Sequence, residues 1–124
     1  MPRLNSSSDP FAGKGEAIFN LGGKESLYLK YVNQFQTHYQ DSCQLLCYYL
    51  ECRDYENAHI LVHSIKGLAS TLGMLTLKKQ AEALEITLRE GKLYALPALL
   101  ISFQIAMAQV VQSPFPHSSS SVGT

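Results

Sequence analysis

The sequence predicts an all-α domain, an antiparallel up-down-up-down four-helix bundle with a short extra N-terminal helix. Three observations carry that prediction. Apolar residues between about Lys14 and Val111 recur at spacings of three and four, with almost no strand-like alternation. Breaks at Gly22-Gly23, CRDYEN, Gly73 and Gly91 divide the pattern into helix-length pieces. The chain has 124 residues, 46% hydrophobic and 16% charged, which suits one domain with a modest core and no second domain.

The elements follow in order. Residues 1–13 mix Ser, Asp, Pro and Gly and are expected to form a flexible lead, with the bundle domain over 14–112. A first helix is expected over Lys14–Asn20, ending at Gly22-Gly23. A second starts near Lys24, with Leu27, Tyr28, Tyr31, Val32 and Phe35 as its buried stripe. The pattern resumes after Asp41 through Cys43, Leu46, Cys47 and Leu50, compatible with one long helix or two shorter ones. Asp54 is a good N-cap for the next helix, Tyr55 to about Leu72, whose apolar face is Ala58, Leu61, Val62, Ile65, Leu68, Ala69 and Leu72. Gly73 ends it. A helix from Leu75 to Glu90 shows Leu77, Ala81, Leu84 and Leu88 before Gly91. The last runs from about Ala95 to Val111, with Pro97 in its first turn where a missing N–H does no harm. The Ser/Pro-rich segment SPFPHSSSSVGT, residues 113–124, is expected to be a disordered tail.

Composition excludes several function classes. Ten Lys+Arg balance ten Asp+Glu, so there is no basic field of the kind that drives nucleic-acid binding. Cys43, Cys47 and Cys52 are too few for a secreted disulfide scaffold, and the spacing of four between the first two is not a CxxC redox motif. They read as small buried hydrophobes. The opening MPRLNSSSDP contains no apolar run of a signal peptide. The apolar-rich stretch Tyr94–Val111 is interrupted by Pro97, Ser102, Gln104 and Gln109, so membrane insertion is not expected. The expected setting is the cytoplasm.

The central helix contains HSIKGLASTLG, residues 63–73. Glycine inside a helix costs roughly 1 kcal/mol relative to alanine, so Gly67 calls for a reason. Projected on a helix, His59, His63, Lys66, Gly67 and Ser70 fall together, opposite the apolar stripe. An exposed neutral imidazole has a free ring nitrogen and can act as a nucleophile. A lysine one turn on can neutralise an anion placed on that nitrogen. A missing side chain beside it lets another protein's active site close over the ring. One account covers all three residues: an exposed histidine that takes up and gives away a phosphoryl group.

At these residues the chain resembles the histidine-phosphotransfer (HPt) family, whose signature is H-x-L/I-K-G-x-A/S-x-x-L/I-G. His63, Ile65, Lys66, Gly67, Ala69, Leu72 and Gly73 all match it. The segment LGGKESLYLKYVNQF, residues 21–35, is similar to the family's upstream helix, and Ala83-Leu84-Glu85 falls where the family has a small or apolar residue, Leu, then Glu or Gln. The resemblance covers about Lys14 to Val111. It implies that His63 is the phosphoacceptor through its outer ring nitrogen, that Lys66 screens the phosphoryl charge and that Gly67 clears the approach. It implies that Glu85 holds the other ring nitrogen, making the ring more basic, although many relatives carry Gln there. Val62 departs from the Ala that many members have before the histidine.

The implied partners are the receiver domain of a response regulator, whose Asp and Mg²⁺ supply most of the transition-state stabilisation, and a sensor histidine kinase. No glycine-rich ATP motif is present, so the expectation is a monomeric phosphocarrier with no cofactor of its own rather than an enzyme. His59, Ser70 and Lys79 are candidate partner-contact positions, each also readable as plain surface. Two other readings compete. His59 and His63, four apart in HILVH, have the spacing of a shared zinc site but lack an obvious third ligand. A helical protein–protein adaptor with a non-functional motif would tolerate loss of His63, whereas the whole signature is present.

Overall fold

In the computed structural model, which describes residues 9–112, six α-helices follow one another and no strand occurs among the described residues. They are α1 (Lys14–Asn20), α2 (Glu25–His38), α3 (Ser42–Glu51), α4 (Tyr55–Thr71), α5 (Leu75–Glu90) and α6 (Leu96–Val111), with a 3₁₀ turn at Leu93–Ala95 before the last. The question left open after Asp41 resolves into two helices. Ser42 makes the break: its backbone N–H and its hydroxyl both donate to the Tyr39 carbonyl, at 3.1 and 2.8 Å. A serine hydroxyl that bonds the backbone locally competes with continued helix.

The caps follow sequence chemistry. The Asp54 carboxylate accepts the Asn57 backbone N–H at 3.2 Å and the Asn57 side-chain amide at 2.7 Å, a cap worth about 1 kcal/mol. Gly73 ends α4 at φ +72°, and its carbonyl accepts the Gly13 N–H at 2.8 Å. A Cβ built on Gly73 would overlap the Gly13 backbone, so both the left-handed turn and this close approach require glycine there.

The core is one cluster running through all six helices. Val32 and Phe35 of α2, Leu46 of α3, Val62 and Ile65 of α4, Leu77 and Leu84 of α5, and Phe103 and Met107 of α6 are buried together. Each such side chain contributes about 1.5–3 kcal/mol of transfer free energy. The most extensive helix pairing is α4 with α5, followed by α5 with α6 and α3 with α4. The buried Tyr28 hydroxyl donates to the Leu72 carbonyl at 2.7 Å, joining α2 to the end of α4. Burial, followed by the Asp9 carboxylate, pushes this phenol up to about 12, so it remains a donor.

The flexible lead expected over 1–13 does not extend through residues 9–13: Phe11 is a core residue, its N–H donates to the Asp9 carboxylate at 2.9 Å, and Gly13 is bonded to Gly73. Residues 1–8 of that lead and the tail expected over 113–124 lie outside the described residues. Tyr31 and Leu68, assigned to buried stripes, are each 38% exposed because they sit at the edges of seams narrower than the apolar pattern. Cys43 and Cys47 are half-buried rather than buried, and Cys52, in the turn after α3, is exposed. In α6, Leu96, Phe103, Ala106, Met107 and Val110 face the core. By length and composition, Leu93–Val111 is also apolar enough to cross a membrane, and Ile101 and Ile105 are exposed on its outer side.

Candidate functional site

The outward face of α4 carries His59, His63, Lys66, Gly67 and Ser70, and α5, packed beside it, supplies Glu85. The helix keeps its register through Gly67 because Ala58, Val62, Ile65 and Ala69 are buried on the opposite side. The phosphoacceptor candidate is therefore held by packing at its back rather than by contacts at its front.

Glu85 is the centre of the group. It is a charged residue only 4% exposed, which is rare unless the charge is paired. Its Oε1 meets Lys66 Nζ at 2.7 Å. Its Oε2 lies 2.6 Å from His63 Nδ1 and 3.4 Å from His59 Nε2. Burial alone raises a carboxyl's pKa, but here the hydrogen bonds and charges of Lys66 and His63 outweigh it and hold Glu85 below its usual value. The carboxylate is ionised, so the ring nitrogen facing it carries the proton and His63 Nδ1–H donates.

That bond leaves Nε2 of His63 as the nitrogen with a lone pair. The His63 side chain is 62% exposed, while Lys66 is 28% exposed. The rings of His59 and His63 lie nearly parallel, 11° apart in plane with centroids 6.0 Å apart. A Cβ placed on Gly67 would meet nothing within 4 Å, so no packing inside the chain accounts for the glycine. The Thr71 hydroxyl donates to the Gly67 carbonyl at 3.1 Å.

The sequence candidates are thus brought together unevenly. His63, Lys66, Glu85 and His59 form one connected cluster, with Gly67 open beside it. Ser70 and Lys79 are exposed and stand outside the hydrogen-bonded group. Two relationships were not anticipated: Lys66 is ion-paired to Glu85, and His59 shares the carboxylate oxygen used by His63. The spacing of three and four around His63 puts the three α4 groups on one face, but which α5 side chain meets them is set by how the two helices pack. Among the described residues, no group of three or more His, Cys, Asp or Glu side chains is arranged to hold a metal ion.

Fold and site together define a helical domain that presents a carboxylate-oriented histidine on an outer helix face. Residues 27–113 match the family model of the Hpt domain. The chain belongs to the Hpt family, whose members are histidine-phosphotransfer modules of phosphorelays, phosphocarriers rather than enzymes. The match begins within α2, so α1 and the GG turn lie outside it. No curated protein and no solved structure matches the chain.

Proposed function

We propose that this domain carries a phosphoryl group on Nε2 of His63, accepting it from a receiver-domain aspartyl phosphate or a sensor histidine kinase and passing it to a response-regulator receiver aspartate. In the uptake step the Nε2 lone pair forms a P–N bond as the aspartyl P–O bond breaks. The electron pair of that bond returns to the aspartate as its carboxylate. The imidazole becomes cationic, and its Nδ1 proton stays against Glu85. Transfer onward reverses these changes, so the domain needs little beyond geometry. The receiver's Mg²⁺ and Asp supply the remaining stabilisation.

The observation that carries this reading is the 2.6 Å contact between His63 Nδ1 and Glu85, which leaves Nε2 on an exposed ring. A charge-assisted hydrogen bond contributes about 1.5–3 kcal/mol, and it strengthens as the ring becomes cationic. Lys66 then has two roles: it keeps Glu85 ionised in the empty state, and its charge lies one turn from the incoming phosphoryl group. Gly67 is the clearance for the receiver, with His59, Ser70 and Lys79 in the surrounding contact zone.

We assign the four antiparallel segments of the bundle to α2 with α3, α4, α5 and α6, and take α1 as the extra N-terminal helix. The domain acts in the cytoplasm, as a monomer and without a cofactor of its own. The test is phosphotransfer from a phosphorylated receiver domain, or from a kinase with ATP. An acid-labile, base-stable label is expected on the wild type and none on His63→Gln. Label persisting in His63→Gln would overturn the assignment.

A further inference from the structure

We propose that His59 is a positioning residue that takes up a proton when His63 is phosphorylated, so that the phosphoryl load of this domain depends on pH. The inference rests on the phosphocarrier reading above. It starts from a sharing of one atom: His59 Nε2 and His63 Nδ1 both address Oε2 of Glu85, at 3.4 and 2.6 Å. The longer contact requires a proton on His59 Nε2, since an unprotonated nitrogen would set a lone pair against the carboxylate.

Charge counting shows why loading matters to this ring. With both imidazoles neutral, Lys66 and Glu85 cancel. A phosphoryl group on Nε2 adds two negative charges, and the ring that retains its Nδ1 proton adds one positive charge. One negative charge is left in excess, on a surface cluster that was neutral. His59 contacts Glu85 and lies beside the His63 ring; the other charged residues nearest along the two helices are Glu56 and Lys66 on α4 and Glu82 and Arg89 one turn to either side of Glu85 on α5. Of these, only the imidazoles exchange protons near neutral pH. His63 is committed to the phosphoryl group and to Glu85. A proton on His59 restores neutrality and turns its loose approach to Oε2 into a charge-assisted bond.

By linkage, whatever raises the proton affinity of His59 on loading makes loading more favourable as pH falls through the His59 midpoint. A negative charge added beside these rings moves that midpoint upward. A histidine four residues before the acceptor is thus more than filler. It gives the carrier a proton-coupled state that Gln or Leu at the same place would lack.

The experiment loads the full chain with phosphoramidate. The His63 Nε2 lone pair attacks phosphorus, the P–N bond of the N-protonated reagent breaks, and ammonia leaves with that electron pair. The His59 ring proton resonance is titrated over about pH 5 to 8 before and after loading, and the phosphohistidine phosphorus resonance is followed in parallel. The expected result is an upward move of the His59 midpoint on loading. Besides the ionisation of the phosphohistidine itself, the phosphorus resonance should show a second step at the His59 midpoint that is absent in His59→Gln. An unmoved His59 with phosphorus on His63 overturns this inference alone. No phosphohistidine signal in the wild type overturns the carrier reading, and this inference with it.

Discussion

Glu85 reaches from α5 to accept the hydrogen bond of His63 Nδ1–H on α4 at 2.6 Å, and the same carboxylate holds Lys66 at 2.7 Å. A buried acid placed between a histidine and a lysine fixes the ring's tautomer, and on the proposed reading it supports the cationic ring formed on loading. Glu85→Gln keeps an acceptor of nearly the same shape and removes the charge. Phosphoryl uptake is expected to slow about tenfold, which corresponds to about 1.4 kcal/mol of lost transition-state stabilisation. Stopped-flow or quench measurement of label uptake from a phosphorylated receiver domain checks it, and an unchanged rate would remove Glu85 from the mechanism.

His63→Gln should separate chemistry from stability. Its side chain is 62% exposed and outside the core cluster, so the substitution should cost about 1 kcal/mol or less in urea unfolding. Labelling should fall to background. The informative control is Ile65→Ala, two residues on but fully buried, which should cost about 2–5 kcal/mol through lost burial and the cavity left behind. The two substitutions sit on opposite faces of one helix and should fail in opposite assays.

Much of this was legible in the sequence because it rests on local periodicity. The bounds of α1 and α5, the Asp54 cap, the Gly73 stop and the outward face of His63 follow from residues within a turn or two of one another. What was not legible depends on tertiary partners. Tyr31 and Leu68 fit an apolar stripe, yet how wide a seam is buried depends on the neighbouring helix. Phe11 looked like part of a polar lead until the Gly13–Gly73 contact tied that segment to the end of α4. The ion pair of Lys66 with Glu85 spans two helices, and no pattern within one helix discloses it.

Acid should reveal the Glu85 network as a stability term. The folded-state pKa of Glu85 is held below the ordinary value of 4.5, so its contribution is present above that value and is lost as pH falls through the lower folded value. In urea titrations, wild type should lose stability relative to Glu85→Gln on going from neutral pH to below 4.5, with the two curves converging in acid. Parallel curves over that range would mean that the carboxylate is not stabilised by its partners in the folded state.

Gly67 yields the prediction with two signs. An added Cβ there meets nothing within 4 Å, and glycine in a helix interior is about 0.8–1 kcal/mol less favourable than alanine. Gly67→Ala should therefore raise stability by up to about 1 kcal/mol, seen as a few degrees in Tm for a domain of this size. On the proposed reading, that cost is offset by the partner that must approach Gly67 from outside. Gly67→Val should slow transfer from a receiver domain much more than loading by phosphoramidate, because only the protein donor has to close over the helix. Comparing the two donors on the same variant separates clearance for a partner from damage to the histidine. Equal slowing with both donors would show that Gly67 serves the ring itself, and unchanged transfer from the receiver would show that no partner packs against this part of α4.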